Sequence, residues 1–255
     1  MTIFTEAARD KLLAEPNIQA RAIGFGVTRG IGGFDPLPSV ATELNGIIRH
    51  GQSDSGILPG ETLLDNDFTY KALSSGLKSG TEIMHMASHF QFNPVMPSQS
   101  FLLLGDGSSL PLSDLANPDL SFDGIQQLTL SACETASGLG RGDGREVEGF
   151  GALVQRQGAL SVIATLWPIA DESTSLLMPE FYRQRFVEKQ NKAEALRKAQ
   201  LAIMQYGTSL KPTPKAFGVR GSVYVSVKLD APKWEGSGYS HPFYWAPFIL
   251  LGNWR

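Results

Sequence analysis

Among residues able to do covalent chemistry, this chain has one cysteine and four histidines. Cys133 closes an apolar run in LTLSACETASG. A second apolar run, TEIMHMASHF, closes the same way at His89, 44 residues upstream. A thiolate is the nucleophile of cysteine hydrolases, and a nearby imidazole keeps it ionised, so two run ends bearing these groups read as the halves of an active site. The competing reading is packing. A lone buried cysteine ordinarily serves as a small apolar core residue, and composition alone favours that role. Spatial adjacency decides between the two.

The chemistry expected of such a pair is acyl transfer. The Cys133 thiolate attacks a peptide carbonyl, and His89 protonates the leaving amine and then activates water. Backbone N–H groups at the strand-to-loop turns, those of Phe90 and Cys133, are the expected oxyanion donors.

The other histidines carry less. His85 and His89 form an HxxxH, which on a helix would aim both rings at one metal; on a strand four residues span ~13 Å, too far to share an ion. His85 therefore reads as a packed strand residue, with no metal and no cofactor expected. His241 precedes Pro242, and His50 ends a helix at the surface, so neither has a chemical context. In SGLGRGDGRE the glycines 138, 140, 142 and 144 alternate and do not fit GxGxxG, and GxxxxGK[ST] is absent, so nucleotide binding is the weakest functional reading. Arg141 and Arg145 make that loop a target for a protease. The RGD tripeptide within it is too short to imply adhesion.

These residues need elements to hold them. RAIGFGV, over 21–27, reads as a buried strand entering a Gly/Pro loop. From Ser39, placed as a cap, Val40, Leu44, Ile47 and Ile48 mark one face of a helix. FTYKALSSGLKSG is a helix ending in glycine and leads into the strand TEIMHMAS. FLLLGDGSSLPLSDL is a hairpin turning at Gly105-Asp106-Gly107. IQQLTLSAC is a strand, Val147, Phe150, Gly151 and Val154 mark a helical face, and LSVIATLW is a strand buried on both faces. Two helices follow, the second with Asn191 and Glu194 at capping-box spacing and Leu196, Ala199 and Ile203 as its apolar stripe. APFILLGNW is the last strand. Strands alternating with helices predict a three-layer α/β/α sandwich with a mostly parallel central sheet. In such sheets the crevice lies beyond the carboxyl ends of the strands, where both candidate groups stand. If their strands are neighbours, the two backbones are ~4.8 Å apart.

The reading is one domain over 1–255, with 1–20 a lead-in and 211–240 an inserted hairpin or flap. Within that insert Val223, Val225, Val227 and Leu229 alternate with polar residues. At 255 residues, 42% hydrophobic and 18% charged, the chain can bury a full core. One cysteine excludes an internal disulfide framework and a multi-cysteine zinc site, and favours a reducing compartment. The net charge of −3 provides no cationic field for phosphate, so nucleic acid is not an expected partner. MTIFTEAARDKLLAEPN lacks a signal-peptide pattern and no window approaches the ~20 apolar residues of a membrane span. Cytoplasm is the expected location, with no membrane partner. A regulatory partner or fused repeat domain outside these residues remains an open expectation.

SACETA preceded by apolar residues, EVEGFGALVQRQGA, VIATLWPIADEST, KAEALRKAQLA and HPFYWAPFILLGNW, in that order, resemble the bacterial CHAT domains, caspase-like peptidases related to caspases and separase. The likeness runs from about residue 20 to the C-terminus, apart from 211–240. It implies a caspase-like α/β/α sandwich and a His-Cys dyad, falling here on His89 and Cys133. The 44-residue separation also suits a caspase-type histidine ~50 residues before the cysteine. Phe90 stands where caspases and many CHAT members have glycine. Pro179 falls inside an expected helix, which it would kink or delay. Separase-like enzymes place an acidic residue after the LW strand, where this chain has Asp171 and Glu172. A carboxylate there would pair with arginine or lysine of a protein or peptide substrate; the alternative is that Asp171 caps the following helix. Ser131 and Glu134, flanking the cysteine, are further substrate-site candidates. Two function classes follow: a cysteine endopeptidase with basic P1 preference, gated by a partner or another domain, and a catalytically inactive caspase-like scaffold for protein interaction.

Overall fold

The structure is a computed structural model that describes residues 20–51, 54–91, 93, 96, 99–132, 151, 153–206 and 238–255. Its frame is a seven-stranded sheet whose strands are, in chain order, β1 (Ala22–Gly26), β2 (Ile48–Arg49), β3 (Leu58–Leu64), β4 (Ile83–Ala87), β8 (Gln127–Ser131), β9 (Ser161–Thr165) and β10 (Phe248–Gly252). A separate three-stranded sheet holds β5 (Phe90–Gln91), β6 (Phe101–Leu103) and β7 (Ser109–Pro111). Across the large sheet the order is β10-β9-β8-β4-β1-β3-β2. All neighbours are parallel except β9 and β10.

The four central strands β1, β4, β8 and β9 are buried along their whole length. That burial explains their continuous rather than alternating sequence pattern. Their two faces nevertheless differ. Ile23, Phe25, Met84, Met86, Leu128, Leu130, Val162 and Ala164 enter one apolar core with Leu73 and Leu77 of helix α2 (Tyr70–Lys78). The opposite face meets α1 (Ser39–Ile47), α3 (Asp171–Tyr182) and α4 (Lys192–Tyr206). There the central strands present mostly small or polar residues, with Ile83 and Ile163 as the large apolar ones. A Cβ on Gly24 would lie 2.9 Å from Leu44 Cδ2, and one on Gly26 2.6 Å from Val40 Cγ1, so these glycines let α1 approach β1 closely.

Several local expectations change. Ile48, expected on the helical face, begins β2 instead, and β3 lies in a stretch for which the sequence suggested no element; Gly60 is required where β3 passes the Ala22 backbone. Ser39 makes no side-chain cap. Its N–H instead donates to Asp171 Oδ2 at 2.7 Å, so α1 is capped from α3. Asp171 is not at the cap position of its own helix, which Ala170 occupies; it is the first helical residue. Pro179 neither delays nor ends α3; the helix runs through it and then widens into a π-turn over Arg183–Val187. Asn191 Oδ1 accepts from Glu194 N–H at 2.8 Å, but the Glu194 carboxylate pairs with Arg197, giving half of a capping box. Val147, Phe150 and residues 211–237 lie outside the described residues; Gly238–Ser240 forms a 3-10 turn. Among the described residues no helix is long and apolar enough to cross a membrane.

Candidate active site

β4 and β8 are adjacent and parallel, with Ile83 paired to Gln127 and Ala87 to Ser131. Their carboxyl ends therefore open at one edge of the sheet. Beyond β4 the chain is clamped by β6: Ser88 Oγ donates to the Leu103 carbonyl at 2.6 Å, and Leu103 N–H donates to the His89 carbonyl at 2.9 Å. This fixes the backbone from which the His89 side chain departs.

The imidazole is oriented from the loop after β1. His89 Nε2 lies 2.9 Å from the Asp35 carbonyl, and the Phe34 ring packs on the imidazole at 4.8 Å between centroids. A carbonyl only accepts, so Nε2 carries the proton and Nδ1 is the nitrogen that holds the lone pair in the neutral ring. The loop is tied down in turn. Val27 N–H donates to the Ala87 carbonyl and Leu37 N–H to the Thr28 carbonyl, each at 3.0 Å.

Asp65 anchors the start of that loop. Its carboxylate accepts from Thr28 N–H at 2.8 Å, Thr28 Oγ1 at 2.6 Å and Arg29 N–H at 3.3 Å. Partial burial alone would raise the Asp65 pKa, but the Thr28 and Arg29 bonds and the Arg29 charge outweigh it and hold the group below the ordinary carboxylate value. The residue adopts a left-handed φ of 49°, unusual for a side chain other than glycine and sustained here by those bonds.

The remaining candidates scatter around this edge. Phe90 lies in β5 with its ring 1% exposed in the larger core, so its bulk is absorbed by packing. Ser131 ends β8 and is fully buried. Asp171 is 1% exposed, with Oδ2 engaged by Ser39. Glu172 is half-buried beside Tyr239, whose phenol is pushed far above its ordinary pKa, first by burial and then by this carboxylate. Cys133 and Glu134 lie outside the described residues, which break off at Ala132. His85 is buried on its strand as expected, but in a polar setting, 2.8 Å from Glu43.

Sequence reasoning missed Phe34, Asp35 and Asp65. A carbonyl acceptor leaves no residue-type signal, so Asp35 could not have been found that way. Glu43 could have been, because it interrupts the buried stripe Val40, Leu44 and Ile47 of α1.

The CHAT domain family model matches residues 6–253. Among solved structures, the Arg specific cysteine proteinase gingipain R (RGPB) aligns with a TM-score of 0.54 at 10% identity, over 93% of this chain and 47% of that one. The complex of Porphyromonas gingivalis RgpB pro- and mature domains aligns with a TM-score of 0.51 at 10% identity, over 92% of this chain and 47% of that one. The chain thus spans about half the length of these structures, and at such identity the likeness is one of fold. No curated protein matches the chain.

Proposed function

This chain belongs to the CHAT domain family, and from that premise we propose that it is a cysteine endopeptidase working through a His89–Cys133 dyad. One observation carries the reading. Partners in β4 and β8 are offset by 44 residues, Ile83 to Gln127 through Ala87 to Ser131, and the same 44 separates His89 from Cys133. The last paired rung, Ala87 with Ser131, puts at one edge the two strand ends that His89 and Cys133 each follow by two residues in sequence, which supports the pairing of the two groups. Gingipain R, of like fold, is a cysteine proteinase by name.

In the proposed reaction His89 Nδ1 takes the thiol proton, and the thiolate attacks the peptide carbonyl. The resulting imidazolium gives its proton to the leaving amine, and the same nitrogen then activates the water that hydrolyses the acyl-enzyme. The Asp35 carbonyl accepts from Nε2–H throughout, which holds the tautomer and favours the imidazolium. Backbone N–H groups of Phe90 and Cys133 would receive the oxyanion.

A basic P1 residue would be met by the acidic start of α3 together with Ser131 and Glu134. Of the two α3 carboxylates, Glu172 is the better candidate, since Asp171 is buried against Ser39. The second reading, an inactive scaffold for protein interaction, is favoured by the complete burial of His89, 0% exposed. The same burial suits a peptidase held latent until a partner or another domain opens the edge. Fluorogenic peptides with arginine or lysine at P1 separate the two. Turnover by the wild type that disappears in Cys133→Ala and His89→Ala supports the peptidase; equal signals from all three proteins would sink it.

A further inference from the structure

Beneath α1 and α3 the sheet carries a chain of buried polar side chains that the proposed chemistry leaves unused. Glu43 of α1, His85 of β4, Tyr182 at the end of α3, and Thr129 and Gln127 of β8 are each 0% exposed. His85 Nε2 lies 2.8 Å from Glu43 Oε1, and His85 Nδ1 lies 3.2 Å from the Tyr182 hydroxyl. That hydroxyl is also 2.9 Å from Thr129 Oγ1, which accepts from Gln127 Nε2 at 3.2 Å.

Burial pushes the Tyr182 phenol far above its ordinary pKa despite the bonds from Thr129 and Gln127, so its proton stays on. The donors can then run one way, from Gln127 to Thr129 to Tyr182 to His85 to Glu43. Such a chain strengthens its own links in a low-dielectric interior, and removing one link leaves buried partners unsatisfied. Buried polar clusters are often replaced by apolar ones of like volume without loss of stability, so stability is weak grounds for five polar groups here.

Their position gives stronger grounds. His85 and Thr129 are register partners across β4 and β8, so one hydroxyl from α3 bridges a cross-strand pair. His85 stands four residues before His89, and Thr129 four before Cys133. The other end of α3 is fastened as well, where Asp171 caps α1, the helix that supplies Glu43.

Resting on the dyad reading above, we infer that Tyr182 is a positioning residue: by bridging the side chains of His85 and Thr129 it fastens α3 to the two strands that lead to His89 and Cys133, and so fixes how the helical layer seats on their carboxyl ends. A displacement of 1 Å between reacting groups can cost a rate factor on the order of 100. A small loosening of this bridge therefore reaches the chemistry.

The test is the pH profile of iodoacetamide alkylation at Cys133, with thermal melts to confirm folding, in wild type, His89→Ala, Tyr182→Phe, Thr129→Val and Thr129→Ser. Tyr182→Phe keeps the ring and loses the bridge; Thr129→Val keeps the shape and loses the hydroxyl. Both are expected to slow alkylation near neutral pH by roughly tenfold and to move the profile toward that of His89→Ala, while Thr129→Ser stays near wild type. A His89-dependent wild-type profile that Tyr182→Phe and Thr129→Val leave unmoved overturns the positioning role alone. A wild-type profile that does not depend on His89 overturns the dyad and the positioning role with it.

Discussion

A main-chain carbonyl, that of Asp35, sets the tautomer of His89, and so the quality of the proposed base depends on how firmly one loop is held. Asp65 is the side chain that anchors the start of this loop, through Thr28 and Arg29, beside the backbone bonds of Val27 and Leu37. Asp65→Asn keeps the size but weakens these charge-assisted bonds, and should cost about 1–2 kcal/mol of stability. If Asp35 acts as proposed, peptide turnover should fall with little change in KM. Because the folded-state pKa of Asp65 is lowered, its contribution is complete above the ordinary carboxylate value and fades as pH falls through the lowered one. Urea melts from pH 7 down to pH 3 should show the wild type losing its advantage over Asp65→Asn on the acid side; a constant difference would contradict this.

At this scale the sequence offers candidates where residue type suggests chemistry and is silent where the backbone acts. His89 stands out by its place at the end of an apolar run, and the structure puts it two residues beyond the end of β4. The Asp35 carbonyl has no such signature, and His85 passed for a packing residue because its partners, Glu43 and Tyr182, come from helices distant in the chain.

Among elements, the strands buried on both faces were the easiest to read, since AIGFG, IMHMA, QLTLS and SVIAT are runs of small, apolar or β-compatible residues bounded by turn signals. β3 was not, because it lies toward the thin edge of the sheet beside the two-residue β2 and half of it is solvated, so no continuous run marks it. The π-turn after α3 was likewise unreadable, although Pro179 signalled an irregularity nearby.

Helix α4 shows how an element end can carry an electrostatic cost. Lys192 at its start is 4% exposed and donates to the Asn253 carbonyl at 3.2 Å, tying α4 to the end of β10. Burial, and then the charge of Arg185, lower its pKa to about 8. With the folded value below the unfolded one, the unfolded chain binds more protons between them, so wild-type stability should rise with pH from about 8 to the ordinary lysine value of 10.5. The rise is at most about 3 kcal/mol at 1.36 kcal/mol per pH unit. Lys192→Met should flatten this slope in denaturant melts across that window; an unchanged slope would show that Lys192 titrates normally.

At the scale of the whole molecule, the parallel order β8-β4-β1 brings three strand ends to one edge, and each leads to one part of the proposed site: Ser131 toward Cys133, Ala87 toward His89, and Gly26 toward the loop bearing Asp35. The helical layer on one face does not merely cover the sheet. Asp171 and Tyr182 connect its helices to one another and to the strands that deliver the proposed dyad. Gating by a partner or another domain, as proposed, would then act on an edge whose histidine is already buried.

The most direct measurement is covalent labelling with a peptidyl electrophile bearing arginine at P1, followed by mass spectrometry of the intact chain and its peptides. A dyad peptidase should give one saturable adduct, on Cys133 in the wild type, at a rate that falls at least tenfold in His89→Ala, the lower end of what a positioned base contributes being on the order of 100. No adduct, or equal labelling of the two proteins, would contradict the assignment of His89 and Cys133 as a catalytic pair.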